Sequence, residues 1–440
     1  MFCSPAQRRS APPRVVMMFY FFGLLSSENI SMAQEPSSSN APMQHEVNQA
    51  VTLEQALRLA ADTHPSVAQR LSEKDASEYA VANARWQQWP GLSMSSSRSP
   101  LGSTLTELQL EQPLWTGGRI TANINVAMAR SDAARHSVTE TRKLIIERTI
   151  NAYADAMRLQ ARISTADAAI ADFEQLTAMI DRRVENGISP NADAVNVRAR
   201  LQQARSERLQ MDLQLKQVRS EIELLLGRRF TELSVPPSLA SNLSDLPDAL
   251  QAALDSSPEL ARLNAEERIA EETIAVSRSS LSPALSLRYQ RIFGGGTLYA
   301  TDQVFVGVTY QPGHGLSSVS AINEAEARRT GSAQAREVTR LELLNRVRNL
   351  WQQADSSRRE LATLAELVSS TQQVYESCLR QFPVGRRTWL EVLLARRDAT
   401  QAQYAISDIQ WTGYAAALKL DLMTGNLAAR NYRLNAEVLP

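Results

Sequence analysis

The sequence predicts a mainly α-helical protein with a small β part, built as a duplicated unit of helix, strand pair, long helix and return helix. Three observations lead there. Ala, Leu, Arg, Gln and Glu dominate, and 17 Gly and 18 Pro among 440 residues leave few chain breakers, a composition that favours long helices. From Arg119 to Asn186 there is neither Gly nor Pro. The punctuation of the first half then recurs in order in the second: Pro65 with Pro258, Pro90 with Pro283, Pro113 with Pro312, Gly187 with Gly385, and Gly227 with Gly425. Landmarks repeated in register at this spacing mark an internal duplication.

At the N-terminus, Arg8, Arg9 and Arg14 precede the apolar run Val15–Leu25, and the small residues Ser31 and Ala33 follow. This is the three-part pattern of a secretory signal, so residues 1–33 are expected to be removed after Ala33. An uncleaved anchor is the alternative, for which the apolar run is short. Residues 34–50 are polar and rich in Pro and Ser, a composition expected to stay disordered.

The first repeat is expected over 51–227, with a helix at 52–88, strands within about 92–112, and helices at 119–186 and 191–226. A linker, 228–245, leads to the second repeat, 246–425. It holds a helix at 246–280, strands within about 283–312, helices at 316–382 and 386–423, and then a C-terminal tail, 426–440. Between its second and third landmarks the second repeat is longer by about six residues, in a Gly-rich loop where extra residues are tolerated.

The long helix carries a seam. Alternating steps of four and three from Ile120 reach Ile124, Ala127, Ser131, Ala134, Val138, Thr141 and Ile145. One extra step of four lands on Thr149, and the alternation resumes through Ala152, Ala156, Leu159, Ile163, Ala166, Ile170, Phe173, Thr177, Ile180 and Val184. No charge falls on it, so it reads as a coiled-coil stripe with one stutter. At 1.5 Å per residue this segment is roughly 100 Å long and needs neighbours along its whole length. The return helix has a stripe of its own, including Ala194, Val197, Leu201, Met211, Ile222 and Leu225.

The strands alternate instead. Thr106, Leu108 and Leu110 oppose Glu107, Gln109 and Glu111; Val304, Val306, Val308 and Tyr310 oppose Phe305, Gly307 and Thr309. Leu285, Leu287, Tyr289 and Phe293 share a face on which Arg291 is a misfit, and "LSMSSSRS" is a weak strand. Four strands, apolar on one face, suit a half-buried sheet or a membrane barrel. Since about eight strands are the minimum for a barrel in lipid, several copies would have to share one.

Lys plus Arg and Asp plus Glu balance at 47 each, which leaves no basic footprint for nucleic acid. The four His are scattered, no HExxH occurs, and the Gly triplet at 294–296 lacks the Lys-Ser/Thr of a phosphate loop. Neither an enzyme activity nor a cofactor or metal is expected. Beyond the signal only Cys378 remains, so no internal disulfide is expected.

Over Val51 to about Gly425 the chain carries, in order, "VTLEQALRLAADTHP", "QPLWTGGR", "NGISPNADAV" and "VGRRTWLEVLLA". In these it resembles the TolC-like outer membrane channels of Gram-negative efflux and type I secretion. The resemblance implies a homotrimer whose strands form a twelve-stranded outer membrane β-barrel in contact with lipid, continued by a periplasmic α-helical coiled-coil barrel. It also implies a periplasmic adaptor (membrane fusion) protein and an inner-membrane ABC or other transporter that delivers the exported substrate.

Under this resemblance "QPLWTGGRI" is the barrel–tunnel junction. Pro113 has no N–H to extend strand pairing, and Gly117 and Gly118 can take backbone angles closed to other residues. Trp115, with Trp86 and Trp89, either stands at headgroup level or packs ordinarily. Pro312 and Gly313 are the second-half counterparts. The adaptor-docking tips are Gly187 and Ile188, and Val384, Gly385, Arg386 and Thr388. The periplasmic entrance takes Glu391 as its acid, with Leu394 where the family pattern often has a second, and Asp193 beside the first tip. Arg386 and Arg387 are either partners for acids on a neighbouring helix or a solvated basic tip. By similarity the chain falls nearest the branch that exports adhesins by type I secretion, with a multidrug efflux component as the alternative. A periplasmic coiled-coil scaffold without a barrel is the rival of another class; it gives the apolar strands nothing to do.

Overall fold

A computed structural model describes residues 50–98, 104–237, 245–294 and 301–427. The expected signal segment, nearly all of the polar lead-in and the Gly-rich insertion lie outside these residues.

The described elements follow in the order α1 (Leu53–Thr63), α2 (Pro65–Trp86), β1 (Gly91–Arg98), β2 (Thr104–Trp115), α3 (Arg119–Glu185) and α4 (Asn191–Leu226). The second half repeats them as α5 (Leu246–Asp255), α6 (Pro258–Ser279), β3 (Ala284–Gly294), β4 (Thr301–Thr309), α7 (Ser317–Gln381) and α8 (Trp389–Met423).

The single helix expected over 52–88 is two. Thr52 and Gln55 form a capping box that starts α1. Pro65 cannot donate to the preceding turn, so α1 stops and Pro65 becomes the first residue of α2, with His64 extended between them. The helix expected over 246–280 breaks in the same way before Pro258, where Ser257 caps α6 through the Leu260 N–H. The break is therefore part of the duplication. At the other end α8 starts at Trp389, not at 386, because Thr388 is its N-cap.

The centre of α3 is surrounded. Ile145, Ile146, Ile150, Tyr153 and Met157 join Leu57 of α1, Ile222 and Leu226 of α4, and Leu418 of α8 in one core. Burying each such Leu or Ile side chain stabilises by about 1.5–3 kcal/mol. Two segments expected to lie outside the repeats also contribute. Phe230 and Leu233 of the linker are buried, with Leu233 bridged to Val51, and Leu427 of the tail is fully buried. Above and below this core the predicted stripe of α3 is buried at Ile124, Ser131, Val138, Ala166, Phe173 and Ile180, while Ala122, Val126, Ala129, Ala169 and Leu176 are buried beside it, so the covered face is wider than the stripe.

On one side of the core, α2, α3, α6 and α7 pack each on the next. This is the order of the strands they adjoin, β1-β2-β3-β4 in one antiparallel sheet. Ion pairs tie α6 to both neighbours: Arg262 to Glu140 at 2.6 Å and Arg268 to Asp132 at 3.2 Å on α3, and Arg329 to Glu271 at 2.9 Å and Arg278 to Glu326 at 2.8 Å on α7. On the other side α3 packs on α4 and α8, and α7 on α8.

The sheet register sorts the side chains by face. Leu92, Leu110, Tyr289 and Val304 share one row. On the opposite face Arg288 pairs with Glu111 at 3.2 Å, and Gln290 donates to Glu107 at 2.8 Å. The weak strand forms because β2 supplies its ladder partners, Met94 opposite Leu108 among them. Arg291, the misfit, has Asp302 directly across from it at 3.4 Å. No helix among the described residues is long and apolar enough to cross a membrane.

Candidate functional site

At one end of the sheet the chain changes from strand to helix. The β2–β3 register shifts between Pro113 and Trp115, where the missing N–H interrupts the ladder. Gly117 and Gly118 follow with φ of 60° and 85°, in the left-handed region that L side chains avoid. A Cβ on Gly117 would sit 2.4 Å from Ser282 Cβ, whereas nothing lies within 4 Å of one on Gly118. At the counterpart in the second half Gly313 has φ 81°, and Ser318 donates to the Pro312 carbonyl at 2.7 Å. Trp86 and Trp89 lie 6.5 Å apart between ring centroids and, like Trp115, are exposed at this end of the sheet.

The far ends of the long helices form two hairpin tips joined by one core of Phe173, Leu176, Ile180, Val197, Tyr375, Phe382, Trp389 and Val392. In the first tip Gly187 turns the chain at φ 69°. The carbonyl of Arg183 accepts from the N–H of Ile188 at 2.8 Å and of Ser189 at 3.2 Å, so the last turn of α3 closes on itself. In the second tip Gly385, at φ 72°, plays the same part, and Arg386 N–H donates to the Gln381 carbonyl at 3.1 Å. Ile188 and Val384 are left exposed at the two turns.

Asp193 and Glu391 are the third residues of α4 and α8, and the structure treats them differently. Thr388 donates to Glu391 from its N–H at 2.7 Å and from its hydroxyl at 2.9 Å, completing a capping box. Arg387 lies 2.7 Å from the other oxygen of Glu391. These bonds, the Thr388 N–H first and Arg387 next, hold the Glu391 carboxyl down to about 2. The cap of α4 is Pro190, which has neither N–H nor hydroxyl to offer, so no such box forms and Asp193 has no ion pair among the described residues. Arg387 thus pairs within its own tip, and Leu394 is half-exposed and apolar.

Sequence reasoning missed the residues that fasten the tips together. Arg183 lies over the Phe382 ring at 4.8 Å and places its Nε 3.3 Å from Ser189 Oγ, so one side chain touches both tips. Phe382 also meets Trp389, with centroids 5.3 Å apart. Arg396 is 3 % exposed, over the Tyr375 ring, with Nε 2.8 Å from Asp172. Its N–H is not aimed along that line, so the contact is an ion pair rather than a well-directed hydrogen bond. One signal was available: Val392, Arg396 and Ala399 are spaced four and three apart, which puts an arginine on the apolar stripe of α8.

Comparisons with known proteins agree with this architecture. The family model described as "Outer membrane efflux protein" matches residues 53–228 and 249–426. The cobalt-zinc-cadmium resistance protein CzcC of Cupriavidus metallidurans is 24% identical over 409 residues, 91% of this chain and 96% of that protein. The alkaline protease secretion protein AprF of Pseudomonas aeruginosa is 22% identical over 380 residues, 80% of this chain and 77% of that protein. Among solved structures, the Campylobacter jejuni CmeC outer membrane channel aligns with a TM-score of 0.75 at 14% identity, over 85% of this chain and 86% of that one.

Proposed function

The chain belongs to the outer membrane efflux protein family, and from that premise we propose that three copies share one twelve-stranded barrel and one helical tunnel through which substrate leaves the cell. The observation that carries this is the four-stranded sheet. It has an apolar face and two edges, β1 and β4, that are unpaired among the described residues, and four strands are too few to close a barrel in lipid. Helices α2, α3, α6 and α7 repeat the strand order, so closing the sheet closes the helical layer as well. Native mass measurement in mild detergent tests this; a stable monomer that needs no detergent overturns it.

In this reading the tips at Gly187–Ile188 and Val384–Thr388 face the periplasmic adaptor, with Asp193, Glu391 and Leu394 near the entrance. An inner-membrane transporter loads the substrate. The exported substrate is a protein, as in type I secretion of adhesins. The similarity of "GRRTWLEVLLARRDA" and "YQPGHGLSS" to that branch supports this, as does the likeness to a relative named for alkaline protease secretion. A second reading, efflux of metal cations, is favoured by the likeness to a relative named for cobalt, zinc and cadmium resistance. Deleting the gene separates the two. Loss of a large protein from the cell surface or medium supports secretion, and new sensitivity to those metals with unchanged secretion supports efflux.

A further inference from the structure

Two helices in turn fill the space between α3 and α7. Towards the sheet α6 packs on both, and towards the tips α8 does. Between the start of α6 and the end of α8 a cavity of about 250 Å³ remains. Leu144 of α3, Leu343 of α7, and Leu422 and Met423 of α8 give it apolar walls. Ser256, just before α6, ties the two helix ends together, its hydroxyl donating to the Met423 carbonyl at 2.8 Å. All of these residues belong to one chain, so the cavity does not depend on how many copies share a barrel.

Lys143 of α3 also lines the cavity and is half-buried. One of its three N–H donors meets the Ser256 carbonyl at 2.7 Å. Burial pushes the ammonium down to about 8, and among the described residues no carboxylate lies within ion-pair distance to oppose this. A charge taken out of water without a partner is costly. The duplication does not call for one here, since the counterpart of Lys143 in the second half is Leu341.

The other charged groups around the cavity are Glu140 and Glu147 of α3, Glu259 of α6 and Arg346 of α7, while α5 and α8 bring only apolar residues. Glu140 is held by Arg262 at 2.6 Å and Glu259 by Arg346 at 4.0 Å. Lys143 is the cation left without a counter-ion.

We propose that this cavity binds a small amphiphilic organic anion, with its carboxylate on the Lys143 ammonium and its hydrocarbon part against Leu144, Leu343, Leu422 and Met423. An apolar pocket with one charged group that fixes orientation is the usual form of a small-molecule site. The bound carboxylate supplies the counter-ion that the chain does not, through a charge-assisted hydrogen bond. An organic ammonium of the same size meets Lys143 as a like charge and is rejected.

Hexanoate is the probe, with hexylammonium and hexan-1-ol as controls for the charge and for the hydrocarbon alone. Calorimetric titration of the full-length protein in detergent at neutral pH should show saturable hexanoate binding, once per chain, that neither control reproduces. Lys143→Met should weaken it at least about tenfold, because a hydrogen bond to a charged group is lost, whereas Lys143→Arg should retain it. Leu144→Trp keeps the lysine but narrows the cavity, and should also weaken binding. In the wild type, affinity should fall as pH rises through about 8, where Lys143 gives up its proton. This last measurement needs no variant, so a substitution that fails to fold does not shield the assignment. Absence of saturable hexanoate binding, equal binding by wild type and Lys143→Met, hexylammonium binding as well as hexanoate, or an affinity unchanged across that pH range would each overturn it.

Discussion

The Glu391 carboxylate closes the first turn of α8 by accepting the Thr388 N–H at 2.7 Å, a bond its counterpart Asp193 cannot make because Pro190 has no N–H. The residue expected to charge the entrance is therefore engaged in holding a helix end. Its charge is matched by Arg387, 2.7 Å away.

Thr388→Ala should loosen the start of α8, since losing a threonine N-cap costs about 1 kcal/mol. The same contact sets a pH dependence. The Glu391 carboxyl is held at about 2, below its ordinary value of 4.5. The cap's contribution is therefore complete above the ordinary value and is lost as pH falls towards 2. Hydrogen exchange at 388–393, corrected for intrinsic rate, should rise over that interval more than at the uncapped start of α4. Equal rises at both helices would remove the cap from the account.

Charge at the proposed entrance should come from Asp193 more than from Glu391. Convergent carboxylates in a narrow opening favour cations because low-dielectric walls focus their field. In planar bilayers at low salt, where screening is weak, Asp193→Asn should reduce preference for K⁺ over Cl⁻ more than Glu391→Gln does. Arg387→Gln should increase it by unmasking Glu391. A larger effect from Glu391→Gln would show that Arg387 does not compensate it in the assembled channel.

The two junction glycines should differ in what they tolerate. Both have positive φ, which costs an L residue roughly 1–2 kcal/mol, and Asn bears that better than most. Gly118→Asn has open space and should keep assembled trimer in the membrane. Gly117→Asn places a Cβ 2.4 Å from Ser282 Cβ and should lose it. Equal trimer yields from the two variants would refute the close approach to Ser282.

Lys143 should make stability rise with pH on the alkaline side. Burial pushes its ammonium down to about 8 from an ordinary 10.5, and its Nζ donates to the Ser256 carbonyl at 2.7 Å. Between those two values the unfolded chain binds more protons than the folded one, so raising the pH favours folding there. Melting temperatures in detergent should climb through this interval for the wild type and stay flatter for Lys143→Met. Parallel profiles would mean that Lys143 is hydrated in the assembly.

The sequence by itself determined whatever depends on period and on chain breakers. The α3 seam was legible because a helix returns to the same face every three or four residues, and Ile124, Val138, Phe173 and Ile180 are buried on it as spaced. The turns at Gly187 and Gly385 were legible because they need left-handed backbone. Only the tertiary structure decided which groups meet across long separations. Arg183 finds Phe382, Arg396 finds Asp172, and Leu233 finds Val51; spacing could mark Arg396 as lying on an apolar stripe, but no local pattern names any of the three partners. β1 became a strand because β2 satisfies its backbone, despite six non-hydrophobic residues in "GLSMSSSR". Glu391 and Asp193 stand at equivalent places, and their difference was local to the sequence, since Thr388 has an N–H to give and Pro190 has none; only the pairing of Glu391 with Arg387 needed the folded tip.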